Sequence, residues 1–430
     1  MTPREFALDV IRQLRAAGYE ALWAGGCVRD QLLGLTPKDY DVATSARPEQ
    51  IRELFGHRRT LAIGAAFGVV TVLGPKQAAP IEVATFRCDG AYLDGRHPDS
   101  VTFSTPQLDA QRRDFTINGL FFDPLTDQVI DYVGGRNDLQ RQLIRAIGSP
   151  QERFSEDKLR MLRAVRFAAT FGFTIELATL AAIQELSGEI VIVSAERIAA
   201  EMRRMLVHPR RGLAVELLRE SRLLPVILPE AAVFDLELHA EYSELHWAKM
   251  LAMLNAVQTP GFATALAILL RTLCRRPEAG CALPEALAAS ICRRWKLANE
   301  EIDVVCHLLH HEGTVRAAPS IPWPQLQRLL IAPHAEELLT YAAAVCRVLD
   351  GNDGAVEFCR QKLALPPAEL NPPPLLTGDD LKRLGLPPGP AYKRLLDVLR
   401  DAQLDKLVHT QADATEFVKQ LFRSSQQGSP

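Results

Sequence analysis

Two aspartates one residue apart, Asp39 and Asp41 in KDYDVAT, are the side chains in this sequence best spaced for chemistry. On an extended strand successive side chains alternate between faces, so both carboxylates share one face and Tyr40 takes the other. Carboxylates this close repel each other unless a cation lies between them. A hard divalent ion such as Mg2+ binds carboxylate and phosphate oxygens together. Two such ions activate an attacking hydroxyl and stabilise the leaving oxygen of an in-line displacement, so no separate general base is required. Glu82, in the strand-like run IEVATF, is a candidate third carboxylate. A bare Asp-x-Asp is also what a solvated strand end looks like, so the pair takes its meaning from its surroundings.

Thirteen residues before Asp39 stands Gly26, inside AGGCVRDQLLG. Two glycines after a short apolar run let backbone amides approach a phosphate, and Arg29 can fork onto phosphate oxygens. An ordinary strand-to-helix turn has the same look. Further along, EDKLRMLRAVRF has helical character, with Ser155 as the N-cap and Asp157 and Arg160 as surface neighbours three apart. A carboxylate accepts from an exocyclic amine and a guanidinium donates to a ring nitrogen or carbonyl, which is how a Watson–Crick edge is read. The bland alternative is a surface ion pair of small energetic value.

Elements must position these groups. Over the first 145 residues strand and helix signals mix. Residues 5–17 suit a helix, 21–24 a strand ending at Gly25-Gly26, 28–33 a helix and 39–43 a short strand. The run 48–55 suits a helix with Pro48 near its start. Residues 67–73 and 81–86 are β-branched and aromatic and suit strands, as do 117–122 and 128–131. Residues 88–100, with Gly90, Gly95 and Pro98, read as a mobile loop. Beyond about residue 145 nearly every segment to 350 has helical periodicity, and a Pro-rich stretch at 363–380 leads into a last helical piece.

The 430 residues exceed one core and suggest several domains. A composition 47% hydrophobic and 23% charged is that of a globular protein, and a net charge of -3 means any nucleic-acid surface must be local. The eight cysteines lack CxxC spacing, which argues against a zinc site and a disulfide framework. No run approaches the roughly 20 apolar residues that span a bilayer, and the N-terminus lacks a signal-peptide core, so a cytoplasmic protein is expected. His307, His310, His311 and Glu312 cluster without an HExxH pattern and read as structural.

GGCVRDQLLG followed by KDYDVAT resembles the signature of the polymerase-beta-like nucleotidyltransferase superfamily. More narrowly it is similar to the bacterial-type, class II tRNA nucleotidyltransferases and poly(A) polymerases. The resemblance continues in order through RRDFTINGLFFDP (with Gly119 where Ala is usual), DYVGGRNDL, EDKLRMLRAVRFAATFGF, SAERIAAEMRRML and TGDDLKRLGLPPGP. It is strong over roughly the first 210 residues and weaker beyond.

That resemblance implies an α+β fold: a catalytic head with a small mixed β-sheet (1–145), then an all-α nucleotide-selecting neck (146–210), body (211–362) and tRNA-binding tail (363–430). It implies addition of CCA to the tRNA 3' end, without a template, from CTP and ATP, with Mg2+ on Asp39 and Asp41. Asp157 and Arg160 would select the base. Gly26, Arg29, Arg113, Arg163 and Arg166 would contact the nucleotide. Asp114 would help recognise the ribose, Asn118 would be structural, and Arg112 a basic surface residue. Leu159, Leu162, Val165 and Phe167 would face the core. In the loop at 88–100, Asp94 and Arg96 would be the working pair for the final A. An A-adding enzyme and a poly(A) polymerase share the same chemistry. A non-catalytic RNA-binding protein is disfavoured by the intact aspartates, and a small-molecule nucleotidyltransferase by the long helical body.

Overall fold

The computed structural model describes the chain except residues 76–77, 91–98, 236–239, 275–283, 388, 390 and 428–430. Asp94 and Arg96 therefore lie outside the described residues. Two compact units are present: Met1–Glu244 with Arg294–Leu297, and Leu245–Arg293 with Ala298–Pro430. The expected head and neck fall in the first, together with the start of the expected body.

The first unit opens with helix α1 (Pro3–Ala16), started by a capping box between Thr2 and Glu5. Its apolar positions Phe6, Val10, Ile11 and Leu14 recur at helical spacing and are buried. A seven-stranded sheet follows. Its strands are β1 (Ala21–Ala24), β2 (Asp41–Thr44), β3 (Thr60–Gly64), β4 (Val69–Val72), β5 (Ile81–Thr85), β8 (Leu120–Asp123) and β9 (Gln128–Asp131). The strands β6 (Arg87–Asp89) and β7 (Val101–Phe103) form a separate hairpin.

Sheet order is β3-β4-β5-β2-β1-β8-β9, and only β2 and β5 run parallel to each other. The all-apolar run Ala-Leu-Trp-Ala makes β1 a central strand buried along its length. Tyr40 is buried edge-on against Trp23 at 4.9 Å, so its neighbours Asp39 and Asp41 point the other way. The parallel register sets Asp41 beside Glu82.

Between and after the strands come α2 (Gly26–Leu32), α3 (Pro48–Phe55), α4 (Pro106–Gln111), α5 (Gly135–Gln140), α6 (Pro150–Glu156), α7 (Leu159–Phe171), α8 (Leu177–Leu186) and α9 (Ala195–Leu206). Two-residue strands β10 (Leu143–Ile144) and β11 (Thr174–Ile175) pair in parallel and pin the start of the helical region.

The α+β reading holds, with local differences. The strand expected from residue 39 begins at Asp41, and the helix expected from 28 begins at Gly26. Thr116–Asn118 is a 3-10 turn rather than strand, because Thr116 turns in to donate to Asp138 (2.7 Å) and Asn118 bonds to Asp114. The hairpin β6-β7 occupies both shoulders of the segment read as loop.

In the second unit the helices Phe262–Cys274, Asn299–Arg316 and Ala335–Leu349 pack on one another. The C-terminal part has its own apolar core, including Leu381, Leu395, Leu399 and Val418. No single helix among the described residues is long and apolar enough to cross a membrane.

Candidate active site

A cleft of about 660 Å³ opens in the first unit. Gly26, Arg29, Asp39, Asp41, Arg113, Asp157, Arg160, Arg163 and Arg166 all line it, although they come from four separate stretches of sequence. Eight arginines and four aspartates form its wall. In a chain with net charge -3, that is a local surplus of positive charge suited to polyphosphate.

Asp39 and Asp41 are the uncompensated negative charges. Among the described residues neither is in a salt bridge. The protein walls strip water from the Asp41 carboxylate, and Glu82 repels its charge. Arg113 partly offsets this and Asp39 adds to it, and the result is pushed up to about 6. A hard divalent cation would relieve that repulsion, so the donor set fits one. Glu82 raises the Asp41 value from the next strand, but it does not line the cleft. Among the described residues no three ligand-type side chains converge. The protein therefore offers two carboxylates, and a bound cation would draw its other ligands from substrate and solvent.

Gly25 turns the chain from β1 into α2 with φ +70°, which favours glycine. A Cβ there would also lie 2.8 Å from Arg113 Nη1, so the glycine makes room for that guanidinium. Arg29, on α2, donates to Asn118 Oδ1 at 2.6 Å and to Asp30 Oδ1 at 2.8 and 2.7 Å. Asn118 donates to Asp114 Oδ1 at 3.0 Å. Arg163, on α7, grips Asp114 Oδ2 through Nε and Nη2 at 2.9 and 2.6 Å. Burial would raise the Asp114 carboxyl, but the Arg163 charge and the bonds from Asn118, Arg163 and Phe115 N–H outweigh it and bring it to about 2. Asp114 is thus an ionised linker joining the turn before β8 to the neck helix.

The EDKLRM segment departs from the single helix expected. Ser155 lies inside α6, and α7 starts only at Leu159 with Lys158 at its cap position. Asp157 occupies the break in extended conformation, where its Oδ1 accepts from Leu159 N–H at 3.1 Å. Asp157 and Arg160 are not a pair. Asp157 Oδ2 accepts from Arg197 of α9 at 2.8 Å, and Arg160 bonds Glu156 and the Arg153 carbonyl. The helix break separates the two groups, each is held by a partner outside the pair, and both line the cleft.

Arg113 is fixed by Asp109 at the end of α4 (2.9 Å), a carboxylate only 1% exposed. The same Asp109 holds Arg112 at 2.7 Å. Arg112 lines the cleft, and its carbonyl accepts from Arg153 (3.1 Å) and Arg160 (3.4 Å), so it is more than the surface residue expected. On α9, Glu201 is bound by both Arg166 and Arg204. Sequence reasoning missed Arg197 and Arg204 as cleft residues. Their spacing of seven, two helical turns on one face, was the available signal. Leu159 and Phe167, expected in the core, are nearly buried but also line the cleft.

A family model described as "Poly A polymerase head domain" matches residues 21–145. One described as "Probable RNA and SrmB- binding site of polymerase A" matches 172–234. The CCA-adding enzyme of Lacticaseibacillus paracasei is 36% identical over 395 residues, covering 91% of this chain and 89% of that protein. The CCA-adding enzyme of Enterococcus faecalis is 41% identical over 310 residues, 71% and 70% of the two chains. The crystal structure of the Bacillus stearothermophilus CCA-adding enzyme in complex with CTP is similar at a TM-score of 0.76 and 29% identity, covering 99% of both chains.

Proposed function

The chain belongs to the CCA-adding enzyme family, and on that footing we propose that it extends tRNA 3' ends with C, C and A. CTP and ATP are the substrates, pyrophosphate is released, and no nucleic-acid template is used. The observation that carries the reading is one cleft holding a bare carboxylate pair, a wall of arginines, and Asp157 and Arg160 freed from each other at a helix break.

Asp39 and Asp41 would hold Mg2+. When bound, the cation supplies charge neutralisation at the α-phosphate and makes the tRNA 3'-hydroxyl a better nucleophile. The remaining work belongs to side chains. Arg29, Arg113, Arg163 and Arg166 hold the triphosphate by charge and forked hydrogen bonds. Asp114, already anchored by Arg163 and Asn118, is placed to accept from the ribose.

The Asp157 carboxylate accepts from an exocyclic amine, which cytosine and adenine carry and uracil and guanine replace with a carbonyl at the corresponding position. A carboxylate facing a carbonyl oxygen is repelled, so U and G are rejected by unpaired like charge as much as C and A are chosen by attraction. Arg160 donates to the adjoining ring nitrogen or carbonyl.

The test is nucleotide incorporation by the purified protein with Mg2+ on three acceptors: tRNA lacking CCA, tRNA lacking only the final A, and an unrelated RNA. Stepwise C, C and A that then stops on tRNA is the expected result. A alone on the CC-ending tRNA would replace the reading with an A-adding enzyme, and long A tails on any RNA with a poly(A) polymerase.

A further inference from the structure

Three guanidinium groups crowd one ring. The Phe167 centroid lies 4.0 Å from the guanidinium carbon of Arg166, 5.2 Å from that of Arg29 and 5.3 Å from that of Arg163. All three arginines and Phe167 line the cleft. Phe167 is 6% exposed and meets Phe115 edge-on at 5.8 Å, so part of its ring serves the core as helical spacing predicts. Phe171 stacks parallel to it at 6.2 Å and shares Arg29, whose guanidinium carbon lies 4.7 Å from the Phe171 centroid, while Arg163 and Arg166 crowd Phe167 itself.

Guanidinium groups that converge from two helices repel one another, and something must hold them together. Each has a partner of its own: Asn118 and Asp30 for Arg29, Asp114 for Arg163, Glu201 for Arg166. No one of these partners touches all three. A carboxylate at the centre would gather them, but it would cancel charge that a triphosphate needs. An aromatic face attracts cations through its quadrupole and carries no net charge. It can therefore align the arginines without reducing the field they project into the cleft.

We infer that Phe167 is a positioning residue for the polyphosphate of the incoming nucleotide, its ring holding Arg29, Arg163 and Arg166 in a common arrangement. The inference rests on the nucleotide-transfer reading above and assigns the ring no contact with reacting atoms. Its effect falls on binding of every nucleotide alike, since the phosphates are common to CTP and ATP.

The test replaces Phe167 in the full chain with phenylalanines carrying one, two and three ring fluorines, alongside Phe167→Leu. Fluorine withdraws ring charge while the shape is nearly kept and the side chain becomes more apolar. Affinities for CTP, ATP and inorganic tripolyphosphate are measured by calorimetry, with KM, kcat and Tm for each protein. The expected result is a stepwise loss of affinity for all three probes, reaching about tenfold at three fluorines. Tm stays level, and kcat at saturation stays within about twofold. Phe167→Leu raises KM to a similar extent. Equal affinity across the fluorinated series overturns the inference, as does a loss that tracks Tm, because the ring would then be core packing only. Wild-type protein that binds neither nucleotide overturns the transfer reading itself, and this inference with it.

Discussion

Glu312 in the second unit and Asp41 in the first are both carboxylates set among other charged side chains, one buried and one at an exposed strand end, and the chain treats them in opposite ways. Glu312 is completely buried and fully engaged. Arg271 grips both its oxygens at 2.8 Å, Tyr341 donates at 3.0 Å and Arg316 reaches it at 3.5 Å. Asp41 stands at the end of a central strand with Glu82 and Asp39 as neighbouring charges and only Arg113 in opposition, so its carboxyl is pushed up to about 6. One charge is closed within the fold. The other is left open at the cost of repulsion that a substrate-bound cation can remove. The uncompensated charge lies in the proposed nucleotide cleft, and the fully compensated one in the helical scaffold.

The sharpest way to break that contrast is Asp41→Asn. Nucleotide transfer should fall by more than about a thousandfold, because on the proposed mechanism this carboxylate holds the cation that supplies several kcal/mol of transition-state stabilisation. Gel-shift affinity for tRNA should stay near wild type. The folded carboxyl titrates above its ordinary value, so the stability associated with it is present at low pH and is lost as pH rises through about 6. The asparagine has nothing to lose there, so its Tm at pH 8 should equal or exceed that of wild type. A clear drop in Tm at pH 8 would show that Asp41 is a structural charge after all.

Glu312→Ala is the mirror experiment. It strands Arg271 in the interior and should cost about 3 kcal/mol of stability in denaturant titration. Transfer per folded molecule should hold at a permissive temperature.

Asp157→Ala should leave stability nearly intact and raise misincorporation of UTP and GTP by roughly ten- to a hundredfold in competition assays. Arg197→Ala should show a smaller loss of the same kind, since it frees rather than removes the carboxylate. Equal loss with every nucleotide would take base choice away from this pair.

The smallest effect is expected at Asp114. Its carboxyl is held at about 2 against an ordinary 3.8, so the stability it lends is complete above pH about 4 and disappears as pH falls through 2. Asp114→Asn should flatten the acid limb of the stability profile over that interval, by about 2 kcal/mol at most.

The sequence by itself determined the chemistry and most of the local elements. Alternation along KDYDVAT put Tyr40 inward and both aspartates outward. The glycines after Ala24 fixed a tight turn. The proline and periodicity of PEQIRELF set a helix at Pro48–Phe55, and QVID a strand at Gln128–Asp131. These are consequences of neighbours within a few residues, which is the range over which side-chain type acts on backbone conformation.

What only the tertiary structure decided is who partners whom. Asp157 bonds Arg197, forty residues away, rather than Arg160, three away. The reason is that α7 begins at Leu159, and α9 packs close enough to claim the freed carboxylate. Arg163 meets Asp114 across forty-nine residues, and Phe167, a core residue by spacing, also stands beneath three arginines drawn from two helices. Periodicity assigns a side chain to a face of its own helix. Which charges arrive at that face depends on how separate elements pack, and no local pattern records it.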